Sequence, residues 1–283
     1  MRFIFLFYPI FAKYEREGIS MDYHVKEYYQ QSSDEAPKGH FHRVIPLQDS
    51  PEIDWETVKS MVPGLCKGWY ELARLSAKDR IGFTQDYWMA RLPYTPELNR
   101  FLNRFFDSLD DIGVFITQKT FDDPYEAHFI YSLKGDSGFY RGAPAITEKN
   151  LQNLQKFFSD FILPNDYIAF LQIHDGFCKT TDCTGLTKSV YMPESYRNFQ
   201  AHVQKHEPMV IGKGREIDPK TLIPFYESFG MPFFQCFWAD WYPENEMGNV
   251  YYSGESKSIS DVDSGRASAE IMAFPTFTDW LMF

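Results

Sequence analysis

The chain has 283 residues and a formal net charge of −11. This acidity disfavours a general phosphate-binding surface and leaves a local basic patch open, so nucleic acid is not an expected partner. Aromatic residues make up 18% of the chain, which excludes a disordered protein and predicts a packed globular one. No stretch reaches the ~20 apolar residues of a membrane helix, so we expect no membrane partner.

The first 39 residues are predicted to be a mobile lead-in, because residues 21–39 are mostly polar. Residues 3–12 form a short apolar run that Pro9 interrupts. Two interpretations stay open for residues 1–20. They are either absent from the native protein, which would then start at Met21, or a weak export signal.

The four cysteines match no zinc-binding spacing. They are Cys66, Cys178, Cys183 and Cys236. A disulfide between Cys178 and Cys183 is one interpretation. We favour free thiols in a reducing compartment, and therefore a cytoplasmic protein.

Residues 40–145 are predicted to form a helical and hairpin extension. Thr95 and Pro96 supply a cap and a first-turn proline for one of its helices. Residues 112–120 and 127–134 are rich in β-branched and aromatic residues, with a turn composition between them, which predicts a β-hairpin. The Gly- and Pro-containing stretch 135–145 is predicted to be a connector.

Residues 146–176 predict two consecutive helices. Thr147 is a candidate N-cap, and Pro164 disfavours continuing the first helix while suiting the first turn of a second. His174 is placed on the apolar face of that second helix, which Asp175 and Gly176 are expected to end.

The last third of the chain is predicted to be rich in β-strands, at residues 223–225, 233–238 and 249–253. A polar, acidic link, residues 239–248, joins the last two of these strands. Thr276 is positioned to cap a final helix that reaches Phe283.

These segments together resemble the SUKH superfamily, the Smi/Knr cell-wall regulator family and its bacterial relatives, over residues 146–283. The opening motif is carried by Leu163, Pro164, Asp166, Tyr167, Phe170, Leu171, Asp175 and Gly176. The later motifs are the Leu-Ile-Pro-Phe strand at 222–225, the strands at 234–238 and 249–252, and the final Thr-Phe-Thr-Asp-Trp-Leu at 276–281. The resemblance implies an α+β fold, with a mixed, largely antiparallel sheet covered by helices.

The resemblance also implies a non-enzymatic protein-binding module, either an immunity-like protein that neutralises a toxin or a regulatory scaffold. The acidic link is our predicted partner surface, since complementary charge speeds encounter with a basic protein and exposed aromatic rings suit binding hot spots. Its residues are Asp240, Trp241, Tyr242, Glu244 and Glu246. A basic toxin domain is the partner that this acidity suits, and the oligomeric state stays open.

The alternative is a glycosidase-like hydrolase that uses the carboxylates of residues 240–246 beside their aromatic rings. His174 and Asp175 with Cys178 could form a second catalytic arrangement, but no nucleophile motif accompanies them. The histidine pairs His40/His42 and His202/His206 lack the further ligand that a metal site needs. We therefore expect no catalytic residue, no metal and no cofactor.

Overall fold

The structure is a computed structural model. It describes residues 21–31, 40–135, 137–180, 184–203, 209–211, 215–228, 233–254, 257–262 and 272–283. Several parts of the chain discussed for their sequence lie outside these ranges, namely residues 1–20, residues 32–39 of the predicted lead-in, residue 136 of the predicted connector, Cys183 and His206.

The first half of the chain contains five helices and four strands within the described residues. These are α1 (Tyr23–Tyr28), β1 (Arg43–Pro46), α2 (Trp55–Met61), α3 (Lys67–Leu72), α4 (Ala77–Arg91), α5 (Pro96–Asp107), β2 (Leu109–Gln118), β3 (Glu126–Leu133) and β4 (Phe139–Gly142). A short 3-10 helix, Leu47–Asp49, follows β1.

The second half begins with the predicted helix pair and continues mainly with strands. Its elements are α6 (Glu148–Phe157), α7 (Asn165–Leu171), β5 (Phe177–Lys179), β6 (Thr184–Leu186), α8 (Met192–Val203), β7 (Val210–Ile211), β8 (Arg215–Glu216), β9 (Leu222–Ser228), β10 (Phe233–Trp238), β11 (Asn249–Ser253), β12 (Ser258–Ile259), β13 (Ala273–Phe274) and α9 (Phe277–Leu281). A 3-10 helix, Pro219–Thr221, precedes β9.

One 11-stranded antiparallel sheet runs through both halves in the order β1-β2-β3-β4-β5-β6-β9-β10-β11-β12, and β13 pairs with β11. Helices α4, α5, α7 and α9 pack on one face around the largest core cluster. Helices α1 and α8 contact two smaller clusters on the other face. The predicted α+β class and the predicted hairpin, here β2 and β3, are confirmed.

Two stretches differ from what their composition suggests. Residues 21–31, assigned to the mobile lead-in, include α1, whose Val25 is buried together with Met21 and Tyr29. The predicted connector contains β4, which pairs with β3 on one side and β5 on the other. Hydrogen bonds to strands on both edges satisfy the backbone groups of β4. The Gly-containing sequence of the predicted connector has little β-propensity of its own, so it does not indicate a strand. The division of the chain at residue 145 stays a prediction.

The capping predictions are confirmed at Thr95, Thr147 and Thr276, each of which accepts a backbone N–H three residues later. Helix α7 ends at Leu171, earlier than predicted. His174 therefore lies beyond the helix, on the turn that Gly176, with a φ of 103°, completes before β5.

Asp166 ties the helix pair to the end of the chain. Its buried carboxylate accepts hydrogen bonds from the Thr278 N–H at 2.8 Å and the Thr278 hydroxyl at 3.1 Å. It also accepts the N–H of Tyr167, whose ring is fully buried against Phe277. Asp166 thus fixes α9 against α7.

Candidate functional site

The acidic link between β10 and β11 is a hydrogen-bonded turn. The Trp238 N–H donates to the Gly248 carbonyl at 2.9 Å, where the two strands leave the sheet. The Trp241 N–H donates to the Trp238 carbonyl at 3.0 Å, and the Gly248 N–H donates to the Trp241 carbonyl at 2.9 Å. These bonds close both ends of the acidic turn, residues 239–248.

Trp241 fixes the turn through its ring. A Cβ at Gly248 would lie 2.4 Å from the ring atom Cε3 of Trp241, so the indole rests directly on the glycine backbone. Its centroid lies 6.4 Å from that of Trp238, which is buried. Trp241 is half-buried and acts first as an anchor of the turn.

Glu246 connects the turn to the start of α7. Its carboxylate accepts a hydrogen bond from the Asn165 side-chain amide at 2.8 Å and from the Asn165 N–H at 3.3 Å. Asn245, just before it, has a φ of 62°, a left-handed conformation that asparagine tolerates better than most residues. Glu246 is therefore half-buried and holds the turn in place.

The remaining three predicted residues face solvent. Tyr242 is 49% exposed, and Asp240 and Glu244 are exposed beside it. Within the described ranges, none of the three side chains forms an ion pair or a hydrogen bond. The structure thus brings the five predicted residues onto one turn but divides them into two anchors and three exposed groups.

The hydrolase interpretation requires two carboxylates facing each other across a substrate, roughly 5 to 9 Å apart. One carboxylate of the turn, Glu246, is already hydrogen-bonded to Asn165. The three cavities of about 410 to 450 Å³ are lined by residues outside the turn. A catalytic role for the turn stays the alternative interpretation, and these cavities do not support it.

His174 is fully buried and belongs to a hydrogen-bond chain. Its Nδ1–H donates to the Ala143 carbonyl at 2.7 Å, so its Nε2 is left to accept the Tyr131 hydroxyl at 2.6 Å. The Tyr131 oxygen in turn accepts the Trp88 indole N–H at 3.0 Å. Burial lowers the pKa of His174 to about 4, so the ring is neutral near pH 7.

Asp175 likewise has a structural partner. It accepts hydrogen bonds from the Ser189 N–H and the Ser189 hydroxyl, both at 2.6 Å. Cys178, the third residue of that arrangement, lies 3.6 Å from the Arg141 guanidinium. Cys66, Cys178 and Cys236 carry free thiols. His174, Asp175 and Cys178 thus engage separate partners, and Cys183 lies outside the described residues.

The other histidines singled out in the sequence contact aromatic rings. His40 stacks on Tyr28 with centroids 5.0 Å apart, and His42 meets Phe121 edge-on at 5.5 Å. His202 meets Tyr252 edge-on at 6.4 Å, while His206 lies outside the described ranges. Among the described residues, no group of three or more His, Cys, Asp or Glu side chains is arranged to hold a metal ion.

A cavity lined by Arg141, His128 and Cys178, among others, was missed by the sequence reasoning. These residues come from three different strands, so no local spacing joins them. The one available signal is the alternation Phe139-Tyr140-Arg141, which marks a strand with Arg141 on the same face as Phe139.

Residues 145–282, just under half of the chain, match the SMI1 / KNR4 family (SUKH-1). This confirms the resemblance inferred over residues 146–283. No curated protein matches the chain. None of the described helices combines the length and apolarity needed to cross a membrane.

Proposed function

Residues 145–282 form a segment of the SMI1 / KNR4 family (SUKH-1), and from this premise we propose that the protein is a binding module for another protein. The acidic turn supplies the contact surface. The partner is a protein with a basic face, which suits either an immunity-like role against a toxin domain or a regulatory scaffold. The proposed location is the cytoplasm.

The observation that carries this proposal is the exposure of Asp240, Tyr242 and Glu244 on a turn whose ends are fixed. A rigid turn loses little conformational entropy on binding, so more of the contact energy contributes to affinity. A tyrosine adds a large contact area with few rotatable bonds, and tyrosines are frequent binding hot spots.

Charge favours the same assignment. The chain carries 39 acidic and 28 basic residues, so the field of the whole protein attracts a basic partner. Complementary charges accelerate association, and salt weakens this attraction between exposed groups. Binding should therefore slow as the ionic strength rises.

Affinity capture from the native cell, with the intact chain as bait, is the first test. The bait variant Asp240→Lys with Glu244→Lys should lose the captured partner while its circular dichroism spectrum stays unchanged. Glu246 is left intact because it holds α7 through Asn165.

A matched control reverses two exposed acids in the first half, Asp86→Lys with Asp122→Lys. This variant has the same net charge as the first but keeps the acidic turn, so it should retain the partner. Equal capture by both variants would refute the placement of the surface on the turn.

Tyr242→Ala separates contact from charge. Loss of a hot-spot tyrosine costs about 2 kcal/mol of binding free energy, so the dissociation constant should rise by about 30-fold. An unchanged dissociation constant would remove Tyr242 from the contact.

A further inference from the structure

A cavity of about 410 Å³ lies on the sheet face that carries α1 and α8. Its floor follows one row of paired residues across four strands. Arg141 on β4 is opposite Cys178 on β5, Cys178 is opposite Gly185 on β6, and Gly185 is opposite Glu227 on β9. Neighbouring strands are about 4.8 Å apart, so the row spans roughly 14 Å between its two charged ends.

Gly185 leaves the middle of this floor open. A Cβ built there would lie 2.6 Å from the Cβ of Cys178, so a side chain at 185 would displace its neighbour. The cavity therefore has a cation at one end, a carboxylate at the other and a small residue between them.

The cation at Arg141 has only neutral partners among the described residues. Its Nη1 donates to the Tyr28 hydroxyl at 2.9 Å, and its Nη2 lies 3.6 Å from the Cys178 sulfur. The guanidinium carbon also lies 5.7 Å from the centroid of the Tyr28 ring. Within the described part of the chain, no carboxylate comes within ion-pair distance of this half-buried charge.

Two other arginines show how this protein satisfies a guanidinium that is removed from water. Arg80 is buried and pairs with both carboxylate oxygens of Asp111, at 2.7 Å each. Half-buried Arg74 donates to three backbone carbonyls, those of Leu47, Ser50 and Ile53. A charge taken from water without such partners is costly, so Arg141 is the exception that needs explaining.

The polar groups beside Arg141 are already engaged. His128 is buried, with its Nδ1 2.9 Å from the Tyr29 hydroxyl. Glu126 lies 3.4 Å from the Lys188 ammonium and 3.6 Å from the other ring nitrogen of His128. The carboxylate of Glu126 is thus paired with the ammonium of Lys188. The guanidinium of Arg141 can therefore pair with a carboxylate or phosphate group of a bound ligand.

We propose that this cavity binds a small organic anion whose carboxylate or phosphate group pairs with the guanidinium of Arg141. Guanidinium presents a planar fork of N–H donors that fits either oxyanion with two parallel hydrogen bonds. At the other end of the cavity, the Glu227 carboxylate accepts hydrogen bonds from hydroxyl or ammonium groups of the same ligand. Arg141 lies before residue 145 and Cys178 after it, so the site is built where the matched segment meets the first half of the chain.

The test uses two thiols of the unaltered protein, half-buried Cys178 beside Arg141 and exposed Cys66. Iodoacetamide modifies the thiolate, and the rates at Cys178 and at exposed Cys66 are followed together by peptide-resolved mass spectrometry. Sodium phosphate and sodium succinate are compared with sodium chloride at equal ionic strength. The two arms distinguish a phosphate from a carboxylate ligand.

An anion on Arg141 lies against the Cys178 sulfur, which is 3.6 Å from the guanidinium, and blocks the approach of the reagent. If the anion-bound form does not react, an anion at about ten times its dissociation constant slows alkylation of Cys178 about tenfold. Slowing by either anion at Cys178, with Cys66 unchanged, supports the proposal. Equal rates at Cys178 in phosphate, succinate and chloride would overturn it.

Variants locate the bound anion. Arg141→Gln should remove the anion effect at Cys178, whereas Arg141→Lys and Lys188→Gln should retain it. Persistence of the effect in folded Arg141→Gln would overturn the role of Arg141. Should Arg141→Gln not fold, loss of the effect in Lys188→Gln would contradict the assignment, and the unaltered protein still decides whether an anion binds.

Discussion

Replacing Tyr131 with phenylalanine removes one hydroxyl that two buried ring nitrogens share. That oxygen accepts the Trp88 indole N–H at 3.0 Å and donates its proton to Nε2 of His174 at 2.6 Å. His174 cannot compensate by shifting its proton, because Nδ1–H is committed to the Ala143 carbonyl. Each buried polar group left without a partner costs about 1 to 3 kcal/mol, so the variant should lose about 2 to 5 kcal/mol of unfolding free energy.

Urea unfolding followed by tryptophan fluorescence measures this loss, as a shift of the midpoint at constant slope. Tyr140→Phe is the matched control, because Tyr140 is half-buried on β4 and its hydroxyl makes no hydrogen bond in the described part of the chain. That control should change stability by less than about 0.5 kcal/mol. Equal effects of the two variants would refute the hydrogen-bond chain.

Three further outcomes follow from the packing and burial. Asp166→Ala should cost about 2 to 4 kcal/mol by releasing α9, measured by thermal unfolding, and an effect below about 0.5 kcal/mol would contradict that role. Gly142→Ala places a Cβ 2.5 Å from His174 and should destabilise by about 1 to 3 kcal/mol. Gly82→Ala adds a Cβ in open space within α4 and should raise the unfolding free energy by up to about 1 kcal/mol. A change of the same sign in the unfolding free energy of both glycine variants would be inconsistent with this packing. Because the pKa of His174 is lowered to about 4 by burial, the unfolded chain binds its proton at higher pH than the folded chain. Stability should therefore fall by up to about 1.4 kcal/mol per pH unit from about pH 6.5 down to about pH 4, and a flat urea midpoint between about pH 7 and about pH 5.5 would argue against a buried neutral ring.

Local chemistry made much of this fold predictable. A hydroxyl that caps a helix interacts with an N–H three residues away, so Thr95, Thr147 and Thr276 mark helix starts in the sequence itself. The hairpin was equally local, since its two strands differ in period and composition from the helix before them. The exposed acidic turn followed from its polarity.

Contacts between distant residues were not predictable in this way. Trp88, Tyr131 and His174 are separated by 43 residues at each step, and no spacing rule relates them. The strand β4 was not predicted, because it is stabilised by the neighbouring strands β3 and β5 rather than by the β-propensity of its own sequence.

Which residues anchor the acidic turn and which face solvent was not predictable, for the same reason. Trp241 rests on Gly248 because the chain returns to form β11, and Glu246 meets Asn165 from a helix 81 residues earlier. Composition alone made all five residues of the turn look equally available to a partner.

The most direct test of the proposed binding surface is hydrogen–deuterium exchange of the chain alone and in complex with its captured partner. If the acidic turn is the contact, peptides that span residues 239–248 should gain protection, and Asp240→Lys with Glu244→Lys should abolish it. Unchanged exchange in the turn, with protection appearing on another surface of the chain, would contradict the account.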